Sequence, residues 1–304
     1  MTAPGGRSIA RVVAWMGGAL VCFSGMAVAI RELAPVLGVF EMLTLRSLGS
    51  LAMLGGWIAL GFGRLGPPRP LGLHLGRNLI HLGGQASWTY GLTLLPLATV
   101  FALEFTAPAW VTLLAVVFLG ERATPGRIGG LALGFLGVLV VLRPGAESFA
   151  PEALVVLGSA LCFATALIFT KAMTARMDNV TLLVWMQVIQ LPLILLGHVV
   201  VTGGALPLAR LAEAAPAMVA LLCLTGLLAQ VSIASAFRHG DAITVVPLDF
   251  LRIPLIAAVG ALLYAEPFDG YVLLGAVITA AGILWTLREA ARGPSAPTRS
   301  APPR

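Results

Sequence analysis

Apolar runs of 18–24 residues, separated by short polar connections, fill nearly the whole chain. A helix rises 1.5 Å per residue, so roughly 20 apolar residues cross the hydrocarbon of a bilayer. Runs bounded by charge, Gly and Pro predict ten spans, over residues 12–30, 39–61, 72–92, 96–119, 126–143, 152–170, 181–201, 216–237, 242–264 and 268–287. The first run follows Arg7 and Arg11 and contains Ala27-Val28-Ala29, as a cleaved signal peptide would. It is long for a signal core and has a counterpart later in the chain, so it reads as a retained span.

Composition closes off other classes. Of 304 residues, 59% are hydrophobic and 11% charged, with a mean hydropathy of +0.97. Soluble domains carry about 25% charged residues, and no soluble core of this size hides so much apolar surface. A soluble enzyme, a nucleic-acid-binding domain and a disordered chain are excluded. The net charge of +6 is not a nucleic-acid patch, because its cations are scattered between the spans. With the N-terminus in the cytoplasm, 14 of the 19 Lys and Arg residues fall on cytoplasmic connections and 3 on the opposite side. Arg46 and Arg252 lie within spans. That asymmetry fits ten spans with both termini cytoplasmic. Residues 293–304, rich in Pro, Ala, Ser and Arg, read as a disordered cytoplasmic tail. Cys22, Cys162 and Cys223 sit inside apolar runs, without disulfide or metal spacing.

The two halves of the chain echo one another. A shift of 145 residues brings Gln85 onto Gln230, Thr99 onto Thr244, Glu104 onto Asp249, Glu121 onto Glu266, Gly130 onto Gly275 and Gly137 onto Gly282. A shift of 140 brings Cys22-Phe23 onto Cys162-Phe163 and Arg31 onto Lys171. Matches of scarce polar residues carry the signal. Two five-span repeats, 1–143 and 152–289, would enter the membrane from opposite sides. Such inverted repeats are a hallmark of secondary transporters, whose sites lie near midplane between the halves.

Ionisable groups within spans are costly and mark function or pairing. Glu104 and Asp249 are repeat equivalents; Arg46 is a candidate partner for Glu104, and Arg252, three residues on, for Asp249. Two readings stay open: structural ion pairs, or a pathway for a charged solute or a coupling proton. The third span carries a polar stripe of His74, Arg77, Asn78, His81, Gln85 and Trp88 on one helical face. The deeper members, from Asn78 on, are expected to face a wet cavity, with Gln230 as the mirror partner of Gln85. Gln187 and Gln190 in the seventh span are expected to make interhelical hydrogen bonds. Trp88 and Trp110 are candidate stacking surfaces, the other aromatics interface anchors. Pro108, Pro247 and Pro254 are expected to bend cavity walls. Gly126, Gly130, Gly134 and Gly137, at small-xxx-small spacing, predict close helix packing. No phosphate loop, metal constellation or nucleophile–base set appears, so neither enzyme activity nor a cofactor is expected.

The stretch ALEFTAPAWVTLLAVVFLGERATPGRIGGLALGFLGVLVVLRPG over 102–145, with its echo over 247–284, resembles the EamA-type members of the drug/metabolite transporter superfamily. In both, a Pro-containing span ends in Gly-Glu or Ala-Glu and a Gly-spaced span follows. The resemblance covers nearly the whole chain. It implies a ten-helix all-α carrier that moves small organic solutes without ATP and has no enzymatic activity. Carboxylates, guanidinium groups, Trp and His together favour a zwitterionic or heteroaromatic solute: amino acids or their derivatives first, a cofactor-, vitamin- or nucleoside-like molecule second. The rival from another class is a membrane scaffold or partner subunit whose charges only pair. Direction of transport and oligomeric state are not encoded in these patterns.

Overall fold

The computed structural model describes residues 9–68, 71–104, 106–107, 110–111, 113–114, 125–142, 150–174, 177–204, 208–239, 252–266 and 270–292. Their regular structure is entirely helical: α1 (Ile9–Leu33), α2 (Val39–Ala59), α3 (Leu71–Leu94), α4 (Leu97–Glu104), α5 (Pro125–Leu142), α6 (Glu152–Thr174), α7 (Asn179–Thr202), α8 (Pro216–His239), α9 (Arg252–Tyr264) and α10 (Gly270–Arg292), with a short 3-10 turn at Leu211–Glu213. Four stretches, Ala10–Leu33, Val39–Ala59, Asn179–Thr202 and Pro216–Ala236, are long and apolar enough to cross a membrane.

Helix boundaries follow from local chemistry. Asp178 caps α7, its carboxylate accepting from the Thr181 backbone N–H at 2.8 Å and hydroxyl at 2.9 Å. This satisfies donors that the first helical turn cannot. Burial opposes ionisation of Asp178, but these hydrogen bonds outweigh it and hold the carboxyl below its ordinary range. At the other end Gly203, at φ 68°, takes the left-handed position that closes α7. Glu41 reaches back to the Gly38 N–H at 2.8 Å, and its other oxygen accepts from the Leu208 N–H. One carboxylate thus starts α2 and pins the connection after α7.

The distribution of side chains inverts that of a water-soluble protein. Arg46, Arg77, Arg252, His74, His81, Asn78, Gln187 and Gln190 are buried, while Val21, Leu60, Val200, Leu262 and Val277 stand on the surface. Apolar groups outside and polar groups inside is the arrangement lipid favours. The main apolar core runs through Ile30, Leu33, Leu37, Met42, Leu92, Leu97, Phe101 and Leu103.

Helices pair across the two halves. α1 lies against α8, α3 against α6, α2 against α7, α4 against α9 and α5 against α10. Exchanging each helix for its counterpart in the other half swaps the first two pairings and leaves the other three unchanged. The α5–α10 seam repeats this at single residues. A Cβ added at Gly282 would stand 2.5 Å from the Gly130 oxygen and 2.6 Å from the Gly134 nitrogen. A Cβ at Gly137 would stand 2.5 Å from the Gly275 oxygen. Gly137 and Gly282 are counterparts, as are Gly130 and Gly275, so the two contacts are one contact seen twice. Thr279, the counterpart of Gly134, donates to the Gly134 carbonyl at 3.3 Å. The close packing expected from glycine spacing is present here, and only glycine permits it.

Candidate functional site

At the end of the described part of α4, Glu104 accepts from the Trp88 indole N–H at 2.9 Å and pairs with Arg252 at 3.2 Å. The side chains of Arg252 and Glu104 are 3% and 16% exposed, so the pair is largely removed from solvent. The guanidinium lies 4.2 Å from the Phe23 ring centroid and 5.5 Å from that of Phe101. Aromatic faces stabilise a desolvated cation by cation–π attraction. Trp88 itself is buried with its edge toward Phe101, centroids 5.7 Å apart. The cluster thus draws Phe23 from α1, Trp88 from α3, Glu104 and Phe101 from α4, and Arg252 from α9. A carboxylate from the first half meets a cation from the second.

This corrects the pairing expected from sequence. Arg252, not Arg46, neutralises Glu104, because the α4–α9 contact brings those two side chains together while Arg46 points from α2 toward α1 and α8. The expected Arg252–Asp249 pair lies outside the described residues, as do Asp249, Pro108, Pro247 and the tail. Trp110 is half-buried with its ring 5.3 Å from that of Phe135, and its indole nitrogen has no partner among the described residues. Gln230 is half-buried on α8.

A second polar cluster joins α3 to α7. The Gln190 amide nitrogen lies 3.3 Å from the Asn78 carbonyl, 3.4 Å from its Oδ1 and 3.1 Å from His81 Nδ1. An amide N–H only donates, so His81 accepts at Nδ1 and, when neutral, carries its proton on Nε2. Arg77 donates to Asn78 Oδ1 at 3.0 Å, and the His81 ring lies 5.7 Å from that of Phe163. Gln190 has the interhelical role expected of it. Asn78 and His81 hydrogen-bond to a neighbouring helix, while the Asn78 amide nitrogen and the Gln85 carbonyl oxygen are buried without a partner among the described residues.

A third constellation was not singled out from sequence. Arg31, at the end of α1, donates to the Leu92 and Leu95 carbonyls at the end of α3 and pairs with Glu266 at 3.0 Å. Glu266 in turn accepts from the Leu97 N–H that begins α4, at 3.0 Å and 3.1 Å. Four helix ends meet on one ion pair. The available signal was the repeat itself, which matched Glu266 with Glu121 and Arg31 with Lys171. Phe23, beneath Arg252, was likewise flagged only by its match to Phe163.

Chemically, these groups offer fixed charge, amide hydrogen bonding and aromatic faces in a low-dielectric interior. Such groups are suited to recognising a solute; none of them is a nucleophile set against a base. Comparison with known proteins agrees. A riboflavin transporter of Rhizobium johnstonii is 32% identical over 222 residues, covering 72% of this chain and 71% of its own. An S-adenosylmethionine uptake transporter of Rickettsia conorii is 29% identical over 272 residues, covering 88% of each. A crystal structure at 18% identity superposes with a TM-score of 0.64 over 95% of this chain and all of its own, and so shares the fold. The model of the EamA-like transporter family matches twice, over residues 10–143 and 150–288. With its helical build, outward apolar surface and two family matches along one chain, this multi-pass membrane protein belongs to the EamA-like transporter family.

Proposed function

We propose that the protein is a secondary active transporter of small organic solutes in the cytoplasmic membrane. It works by alternating access between two inverted five-helix halves, with ten spans and both termini cytoplasmic. The observation that carries this reading is the Glu104–Arg252 pair, which ties α4 to its counterpart α9 between the halves. Helix pairing that is unchanged when the halves are exchanged supports it, because such symmetry supplies two near-equivalent conformations, one open to each side. The solute class we favour is a cofactor- or vitamin-like heteroaromatic molecule, ahead of amino acids and their derivatives. Relatives named for riboflavin and S-adenosylmethionine support it, as do Trp88 and Phe23 beside the ion pair. Glu104 is the candidate carrier for a coupling proton.

The test is uptake by purified protein in liposomes, using labelled riboflavin, S-adenosylmethionine and an amino-acid panel, with and without a pH gradient. Saturable uptake of a heteroaromatic probe, lowered in Glu104→Gln, is expected. Folded protein that moves nothing across the panel overturns the reading and leaves the scaffold alternative.

A further inference from the structure

Arg46 is a buried cation in an unusual setting. It is the eighth residue of α2, roughly 10 Å along the axis from the helix start, and only 8% exposed. A guanidinium carries five N–H donors. The hydrogen bond this one makes is from Nη1 to the Met26 sulfur at 3.7 Å, a weak acceptor. Among the described residues no carboxylate lies within ion-pair distance: Glu104 is held by Arg252, Glu266 by Arg31, and Glu41 caps α2. The side chain nevertheless has a built berth. Its stem crosses α8 at Gly226, where an added Cβ would stand 2.5 Å from Cδ and 2.6 Å from Cγ. One turn further along the same face of α2, Ser50 is fully buried with its hydroxyl unpartnered among the described residues. A desolvated cation without acceptors is costly, yet here the neighbouring helix makes room for it.

We propose that Arg46, with Ser50 beside it, anchors an anionic group of the transported solute, a carboxylate or a phosphate. This rests on the transporter reading. The planar fork of arginine matches two oxygens of either group, and the serine hydroxyl supplies one further donor. The solute's anion then provides the acceptors that the described protein does not, so binding converts an unfavourable burial into a paired one. The site lies where α2 faces α1 and α8, and Arg46 takes no part in the Glu104–Arg252 pair.

Two measurements on full-length protein test this. The first uses probe pairs that differ by the anion: riboflavin against its 5′-phosphate, and S-adenosylmethionine against its decarboxylated form. In liposomes the acid-bearing member of a carried pair is expected to compete at least about tenfold better, and Arg46→Met to erase that preference. Arg46→Lys keeps the charge without the fork and should retain part of it. Discrimination that persists in Arg46→Met, or is missing from the native chain, overturns the proposal. The second measurement needs no transported solute. Ligand-free Arg46→Met is expected to melt higher than the native protein. Inorganic phosphate or acetate, at constant ionic strength against chloride, should raise the native melting temperature and not that of Arg46→Met. A lower melting temperature in Arg46→Met identifies a structural ion pair and overturns the proposal. A chain that carries none of the probes defeats the transporter reading, while the melting comparison still decides the role of Arg46.

Discussion

Glu266→Ala is expected to loosen the junction where α1, α3 and α9 end and α4 begins. Two interactions go at once. The Arg31 guanidinium loses a carboxylate at 3.0 Å and keeps the Leu92 and Leu95 carbonyls and the face of Tyr264. The Leu97 N–H, which opens α4, loses its acceptor. A hydrogen bond to a charged group contributes about 1.5–3 kcal/mol, and an orphaned donor costs about 1–3 kcal/mol. The side chains of Arg31 and Glu266 are 21% and 12% exposed, so water relieves part of both losses. The expected destabilisation is about 2–3 kcal/mol. Glu266→Gln retains an oxygen for Leu97 and should lose about half of that. The assay is equilibrium unfolding in mixed detergent–SDS micelles, run as a double-mutant cycle with Arg31→Met. The ion pair predicts a coupling of about 1–2 kcal/mol between the two changes. Strictly additive effects, or a Glu266→Ala protein as stable as the native one, would refute the assignment of this junction to the Arg31–Glu266 pair.

Three further outcomes follow from the geometry. Glu104→Gln takes a carboxylate from the buried Arg252 guanidinium beside Phe23 and should cost up to about 3–5 kcal/mol by the same unfolding assay. Adding Arg252→Gln should recover most of it, whereas adding Arg46→Gln should not, since Arg46 makes no ion pair with Glu104. Gly282→Ala drives a methyl into the α5 backbone at Gly130 and Gly134 and should cost about 1–3 kcal/mol; an unchanged melting temperature would show that the α5–α10 seam is looser than described. Asp178→Ala should cost about 1 kcal/mol and Asp178→Asn far less. Because the folded carboxyl titrates below its ordinary range, its contribution is complete above pH about 4 and lost as pH falls through the lowered folded value. A stability difference between the native protein and Asp178→Ala that grows on acidification would contradict this sign.

Much of this protein is legible one residue at a time. The four helices long and apolar enough to cross a membrane fall on runs expected from sequence, because a bilayer sets a fixed thickness that each helix meets by itself. The α5–α10 seam was readable from Gly130, Gly134 and Gly137, since the lack of a side chain at helical spacing is itself the packing instruction. The correspondence of Gln85 with Gln230 and Glu121 with Glu266 survives in sequence because scarce polar residues stand out against an apolar background. What the linear pattern leaves undecided is which buried charge meets which. Glu104 and Arg252 are 148 residues apart, Arg31 and Glu266 235, and Gln190 and His81 109. Spacing along one helix names a face but not its neighbour, so sequence set Arg46 against Glu104 and Arg252 against Asp249, whereas packing of α4 on α9 brings Arg252 to Glu104. Packing of α8 against α2 leaves Arg46 lying over Gly226 with the Met26 thioether as its hydrogen-bond partner among the described residues, because ion-pair energy falls off within a few ångströms and only the tertiary arrangement sets those distances.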